Sequence, residues 1–505
     1  MELLHDLALG FAVAGTWQNL LCVICGVLLG MLVGVLPGIG PVAMVAMLLP
    51  AAHGLDATAA LILLAGVYCG AQRGASTAAI LSRGHCRAAS AVTTVDGYQM
   101  ARQGRAGVAL SVAALGSFFA AGFAIVVIVA LAPLLTELAF RFGPQEYFAL
   151  MVLGLIGAVV QTSGSLLRSI AMMVLGLLLA QVSRGVGSGY LDHGFSGAQR
   201  GAGIGLAVVA IGIFTFGEIV AKMGQVDAER EVFGAKLGAR WLGRRDFREA
   251  WPPVVRGSGV GALFGQLPGV GVALAALTSY RLEQQLNRQP RVAFGKGAIQ
   301  GVAGPQAAAS ASTQTSFIPM LMLGLPLNAV LALLVGALLI HGIQPGPQVM
   351  TSRPELFWGL IASIWIGQLL LLALSLPLLR SQTRLRTRPY RFLYPAITLI
   401  CCVGVYSIGG ASVDVYLTAL FALFGYAFHK LGCDPAPLLL GFVLGPMMEE
   451  DLRQALLLAQ GDWSSFVTRP LSAGLLAAAA LLLMVVALPS VRRKRSAAFD
   501  DDDEG

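Results

Sequence analysis

Two short stretches put chain-breaking residues where the sequence is otherwise most apolar. VGVLPGIGP (33–41) and GQLPGVGV (265–272) each carry a P-G-x-G pattern: Pro37, Gly38 and Gly40 in the first, Pro268, Gly269 and Gly271 in the second. Proline removes a backbone donor and glycine loosens the chain, so peptide groups are freed at a depth where lipid offers no partner. Either each break is a kink that packing heals, or short helices start after the breaks and aim their positive ends at one anionic ligand while unwound carbonyls hold a cation. Small polar runs follow both breaks, YCGAQRGASTAAIL (68–81) and ASASTQTSFIPMLMLGLP (309–326). Ser76, Thr77, Thr313, Gln314, Thr315 and Ser316 are therefore candidate substrate ligands, the alternative being helix-to-helix contact through small residues. The recurrence of run beside break favours the ligand.

Other chemistry finds less support. Cys22 and Cys25 have C-x-x-C spacing but lie in an apolar run with no clustered histidine, and read as packing thiols. The six histidines (His5, His53, His85, His193, His341, His429) lack ligand spacing, and neither H-E-x-x-H nor G-x-S-x-G occurs. No catalytic residue, metal ligand or resident cofactor is expected. Glu449, Glu450 and Asp451 read as an acidic helix start pairing with Arg453. Arg73 and Asp96 are the costly charges near the first break; Asp96 is expected at the cytoplasmic rim, organising Arg102 or Arg105.

The elements that must hold these residues are membrane helices. Of 505 residues, 56% are hydrophobic and only 12% charged, and the mean hydropathy is +0.76, far from the roughly 25% charged of a soluble domain. A crossing needs about 20 apolar residues, which gives roughly 10 to 12 transmembrane segments or partial crossings. The net charge of +8 collects in loops, a positive-inside signature rather than a nucleic-acid footprint. The first crossing, near Leu20, reads as a retained anchor.

Feature order repeats along the chain: a broken helix, a small polar stretch, one long crossing (107–132; 355–380), then two shorter ones. A first membrane repeat (1–221), a basic cytoplasmic linker with an amphipathic helix (222–256), a second repeat (257–490) and a charged tail (491–505) follow from that order. Paired loops carry opposite charge bias. Residues 82–105 hold Arg83, Arg87, Arg102 and Arg105 where 341–354 holds only Arg353, and 133–146 holds only Arg141 where 380–391 holds five arginines. Opposite bias favours inverted repeats, with RRKR (492–495) placing the C-terminus inside. The fold class expected is an all-α polytopic membrane protein of two inverted-topology repeats with broken or re-entrant helices.

A set of motifs carries a further likeness. GMLVGVLPGIGPVAMVAMLLP, YCGAQRGASTAAIL, TTVDGYQMARQGRAGVAL, GALFGQLPGVGVALAALTSY, FGKGAIQGVAGP, FIPMLMLGLP and PLLLGFVLGPMMEEDLRQALLLAQGD span nearly the whole chain in order. Together they resemble the large membrane subunit of tripartite tricarboxylate transporters, the TctA family. The resemblance implies a secondary carrier in a bacterial inner membrane, taking up di- or tricarboxylates on a sodium or proton gradient. The partners it implies are a small four-helix membrane subunit and a periplasmic solute-binding protein, with a homo-oligomer also open. It also implies the two P-G-x-G breaks as substrate-site elements with Ser76 and Thr77 beside them. Two places depart from the family pattern. Where the family tends to read P-E-A-x-N-N-A this chain has PQAAASA, with Gln306, Ala309 and Ser310, and where it tends to have Pro-Gly-Glu this chain has SRGHCRAAS (82–90). An acid and two amides are thereby removed from the possible ligands. A membrane-embedded enzyme or a channel for small organic anions is the alternative class, and duplicated broken helices suit alternating access better than either.

Overall fold

The computed structural model describes residues 2–35, 40–81, 88–162, 165–184, 204–223, 242–269, 271–287, 290–375 and 393–487. Pro37, Gly38, His85, most of the expected linker, the arginine-rich 380–391 segment and the charged tail lie outside the described residues. The first half comprises α1 (Glu2–Ala14), α2 (Trp17–Val35), α3 (Pro41–His53), α4 (Ala57–Leu81), α5 (Ala88–Arg102), α6 (Ala106–Phe140), α7 (Pro144–Gln161) and α8 (Leu166–Arg184). α9 (Leu206–Ala210) and α10 (Gly217–Met223) flank a π-helical segment, Ile211–Phe216. Beyond it come α11 (Arg244–Phe264), α12 (Gly271–Leu286), α13 (Ile299–Thr315), α14 (Phe317–Leu323), α15 (Ala329–Ile340), α16 (Gln348–Ser352) and α17 (Pro354–Ser375). The chain closes with α18 (Leu393–Gly409), α19 (Ser412–Lys430), α20 (Ala436–Leu458), α21 (Ser465–Thr468) and α22 (Pro470–Ala487). This is an all-α polytopic membrane protein. Among the described residues, six helices are long and apolar enough to cross a bilayer, and six shorter apolar helices of 10–17 residues accompany them.

Local chemistry sets several of the boundaries. α3 begins with Pro41 behind an extended Gly40, a start that costs proline nothing because the first helical N–H has no partner anyway. Glu146 closes a capping contact on the Gly143 amide at the head of α7, and the Asn328 side chain accepts from Leu331 N at the head of α15. α14 ends at Gly324, whose φ of +68° suits glycine. α11 runs without a break across residue 256, with Pro252 and Pro253 inside it.

Glycine governs the closest packing. α2 lies along α4 so that a Cβ at Gly26, Gly30 or Gly34 would overlap the carbonyl oxygen of Leu63, Val67 or Ala71. In the second half α11 lies along α13 in the same way, with Gly257, Gly261 and Gly265 against the carbonyls of Gly304, Ala308 and Ser312. Both ladders stand eleven, seven and three residues ahead of their prolines, Pro37 and Pro268. Small residues at four-residue spacing let two backbones approach, the arrangement by which helices associate without a hydrophobic drive in lipid. Each helix ahead of a break is thus locked to one partner, α4 or α13. Every residue of α13 is buried, enclosed by α4, α5, α6, α11 and α12.

Candidate functional site

α4 and α13 carry their polar residues to a common level, where α6 and α17 close the sides. Two narrow cavities lie there, one lined by Arg73, Ser76, Thr77, Ala113 and Ser375, the other by Gln72, Ser117, Gln306, Thr313, Gln314 and Gln368 with Arg73 again. Each has a volume of ≈10 Å³, about the space of one water.

Arg73 is the chemical centre. Its side chain lies between the two cavities with the residue only 6% exposed. Nη1 donates to Ala113 O at 2.8 Å and Ser117 Oγ at 3.2 Å, and Nη2 donates to Ala114 O at 2.9 Å. Among the described residues no carboxylate lies within ion-pair distance of it. Gln306 bridges the same elements: its amide donates to Ser76 Oγ at 2.9 Å and Ser117 Oγ at 3.1 Å, and Thr93 of α5 donates to its carbonyl at 3.5 Å. Gln314 meets Cys69 Sγ at 3.5 Å. Gln72 Nε2 and Ser312 Oγ are buried without a hydrogen-bond partner, a costly condition for a polar atom. A fixed positive charge with amides and hydroxyls around it is equipped to hold an anion by hydrogen bonds and charge neutralisation.

The structure brings together only some of the residues singled out by sequence. Ser76 and Thr77 line the first cavity, Thr313 and Gln314 the second. Ser76, Thr77 and Thr313 also bond carbonyls four residues back on their own helices. Thr315 and Ser316 turn onto their own backbone, at Ala311 O and Thr313 O, and line neither cavity. The break residues Gly40, Pro268, Gly269 and Gly271 stand outside both linings as well. Gly40 N, at the start of α3, donates to Glu218 of α10 at 3.3 Å, so a carboxylate of the chain itself faces that helix end. Gly269, at φ +82°, donates to Leu327 O at 3.2 Å and, like Pro268, abuts Gly157 of α7.

Two expectations are corrected. Asp96 does not organise Arg102 or Arg105. Its carboxylate accepts from the amides of Gly295, Gly297 and Ala298 at 2.8, 2.8 and 2.9 Å and from the Tyr280 hydroxyl at 2.9 Å. Backbone donors at the head of α13 satisfy it without desolvating an arginine, while Arg105 pairs with Asp246 at 3.1 Å. Glu449, Glu450 and Asp451 do not start a helix, because α20 runs through Pro446 from Ala436 and places them in its later half. Glu450 there accepts from Gln454, one turn on. Sequence reasoning also passed over Gln72, Ser117 and Gln368 as site residues; an arginine and glutamine inside the apolar run of α4 were the available signal.

The tripartite tricarboxylate transporter TctA family matches residues 20–440. An uncharacterised 52.8 kDa protein of the TAR-I ttuC′ 3′ region of Agrobacterium vitis is 47% identical over 477 residues, covering 94% of this chain and 95% of that protein. A second uncharacterised protein, from the TAR-II ttuC′ 3′ region of the same organism, is 52% identical over 216 residues, 43% of this chain and 89% of its own length. No solved structure matches. With a match across most of its length and a relative nearly as long at almost half identity, this chain belongs to the tripartite tricarboxylate transporter TctA family.

Proposed function

We propose that this chain is the permease subunit of a binding-protein-dependent secondary transporter that takes up a di- or tricarboxylate, or a related organic anion, across a bacterial inner membrane. One observation carries the reading: α4 and α13, the helices on which the two glycine-laddered helices lie, bring polar residues to cavities around a buried cation in an apolar helical body. Such a seam between halves is where a carrier holds its substrate while one part moves against the other. We place the substrate among Ser76, Thr77, Thr313 and Gln314, with one part of each half moving against the rest, and we take the halves to be inverted repeats with the C-terminus cytoplasmic. A periplasmic solute-binding protein delivers the anion, a small four-helix subunit completes the membrane part, and sodium or protons supply the driving gradient.

The test is uptake of labelled succinate, malate and citrate into proteoliposomes holding the chain with its four-helix subunit and purified binding protein. Accumulation that needs the binding protein and collapses without an imposed sodium or proton gradient is expected. Gradient-independent equilibration would make the chain a channel, and chemically altered substrate would make it an enzyme.

A further inference from the structure

We propose that Arg73 is the residue that takes a carboxylate of the transported anion, and that its present bonds to α6 are the resting partners which that carboxylate supplements or displaces. The inference rests on the carrier reading above and adds a site residue to it. A guanidinium has five N–H donors and no acceptor. Three bonds, to Ala113 O, Ala114 O and Ser117 Oγ, leave two of those donors over. The guanidinium is planar, and Nε with Nη2 forms an edge of the kind that receives both oxygens of a carboxylate in parallel.

Charge argues the same way. A buried ion is retained where something pays for its desolvation, normally an opposite charge. Carbonyls and a hydroxyl supply partial charge only, and neither cavity is lined by an aspartate or glutamate. Gln306, placed between Ser76 and Ser117 within the same network, is an amide and leaves the charge of Arg73 standing. An anion from outside is the counter-charge this arrangement lacks. The unpaired Gln72 Nε2, on the wall of the second cavity, is a further donor for the same ligand. A helix staple would explain the three bonds to α6, but not a cation without a counter-charge on the walls of two polar cavities.

The experiment uses the assembled transporter in proteoliposomes, with labelled succinate, malate and citrate as probes and the variants Arg73→Lys and Arg73→Gln. Arg73→Lys keeps the charge but not the two-pronged edge, and is expected to raise KM about 10- to 100-fold with a smaller change in maximal rate. Arg73→Gln is expected to abolish uptake while the purified protein keeps its elution volume and melting temperature. Wild-type KM in Arg73→Lys, with only maximal rate or melting temperature reduced, would reduce the arginine to a staple between α4 and α6 and overturn the proposal. Should Arg73→Gln fail to assemble, the KM of Arg73→Lys alone decides. Failure of the wild type to move any of the three acids would instead remove the carboxylate reading, and this inference with it.

Discussion

The hairpin built on the first break and the one built on the second share a ladder but differ in how they are closed. In the second, Arg256 on α11 meets Glu283 on α12 through Nε at 2.8 Å and Nη2 at 2.7 Å, and Asn287 adds a bond of 2.7 Å to the same carboxylate. Glu283 is fully buried. Counted from the prolines, the matching positions of the first hairpin are Cys25 and Ala52, neither of which is charged. α3 packs first on α4, as α12 does on α13, and also on α15, α18 and the π-helical segment. α11 and α12 are therefore braced by a charged pair, whereas α2 and α3, which touch each other and share α4, have no ion pair between them among the described residues. The ladders fix α2 to α4 and α11 to α13; the brace ties α12 to α11 as well.

That contrast can be broken at three strengths. The largest effect is expected from Gly269→Val, which forces a β-branched residue into φ +82° and a Cβ into the Gly157 carbonyl. A loss of about 3 kcal/mol or more should appear as a lowered melting temperature of the detergent-purified protein, with uptake gone. Next comes Arg256→Met, which leaves Glu283 buried without its partner. About 2–3 kcal/mol is expected, below the ~3–5 of a wholly buried pair because Arg256 is partly exposed. Adding Glu283→Gln should recover much of that loss, and a double variant no better than the single would mean that the pair is not the brace. The smallest and most diagnostic effect compares Gly30→Ala with Gly261→Ala. Each puts a methyl against one carbonyl, of Val67 or of Ala308, so each should cost about 1–3 kcal/mol and by the same amount. Unequal losses would show that the ladders, too, have diverged.

Helix existence was legible in the apolar runs, and the reasons for the misses are local. The run expected over 107–132 continues to Phe140 because Pro133 is accommodated inside α6, where Thr136 donates back to Ala132 O at 2.8 Å. The apolar run 306–343 is divided among α13, α14 and α15, since Gly324 turns left-handed and Asn328 caps a new start. α13 also begins at Ile299, ahead of that run, because it is buried by neighbours on all sides and needs little apolar character of its own. The ladders were written in the sequence as G-x-x-x-G-x-x-x-G at 26–34 and 257–265, a spacing that identifies a helix interface directly. Arg73 and Asp96 were different. Their partners lie 40 and about 200 residues away along the chain, and spacing within a segment carries no trace of such contacts.

One consequence concerns how this molecule is made. α13, with three glutamines, two serines and two threonines in 17 residues, is buried along its whole length. Taken singly, such a segment gains little by leaving the aqueous phase, since amides and hydroxyls resist transfer and alanine and glycine reward it weakly. Its entry into the bilayer must be underwritten by the company it keeps, with α11 offering a groove and α6 a wall before it settles. The most enclosed helix of the fold is thus the part least able to insert unaided, and the arrival of its neighbours becomes a condition of the candidate site existing at all.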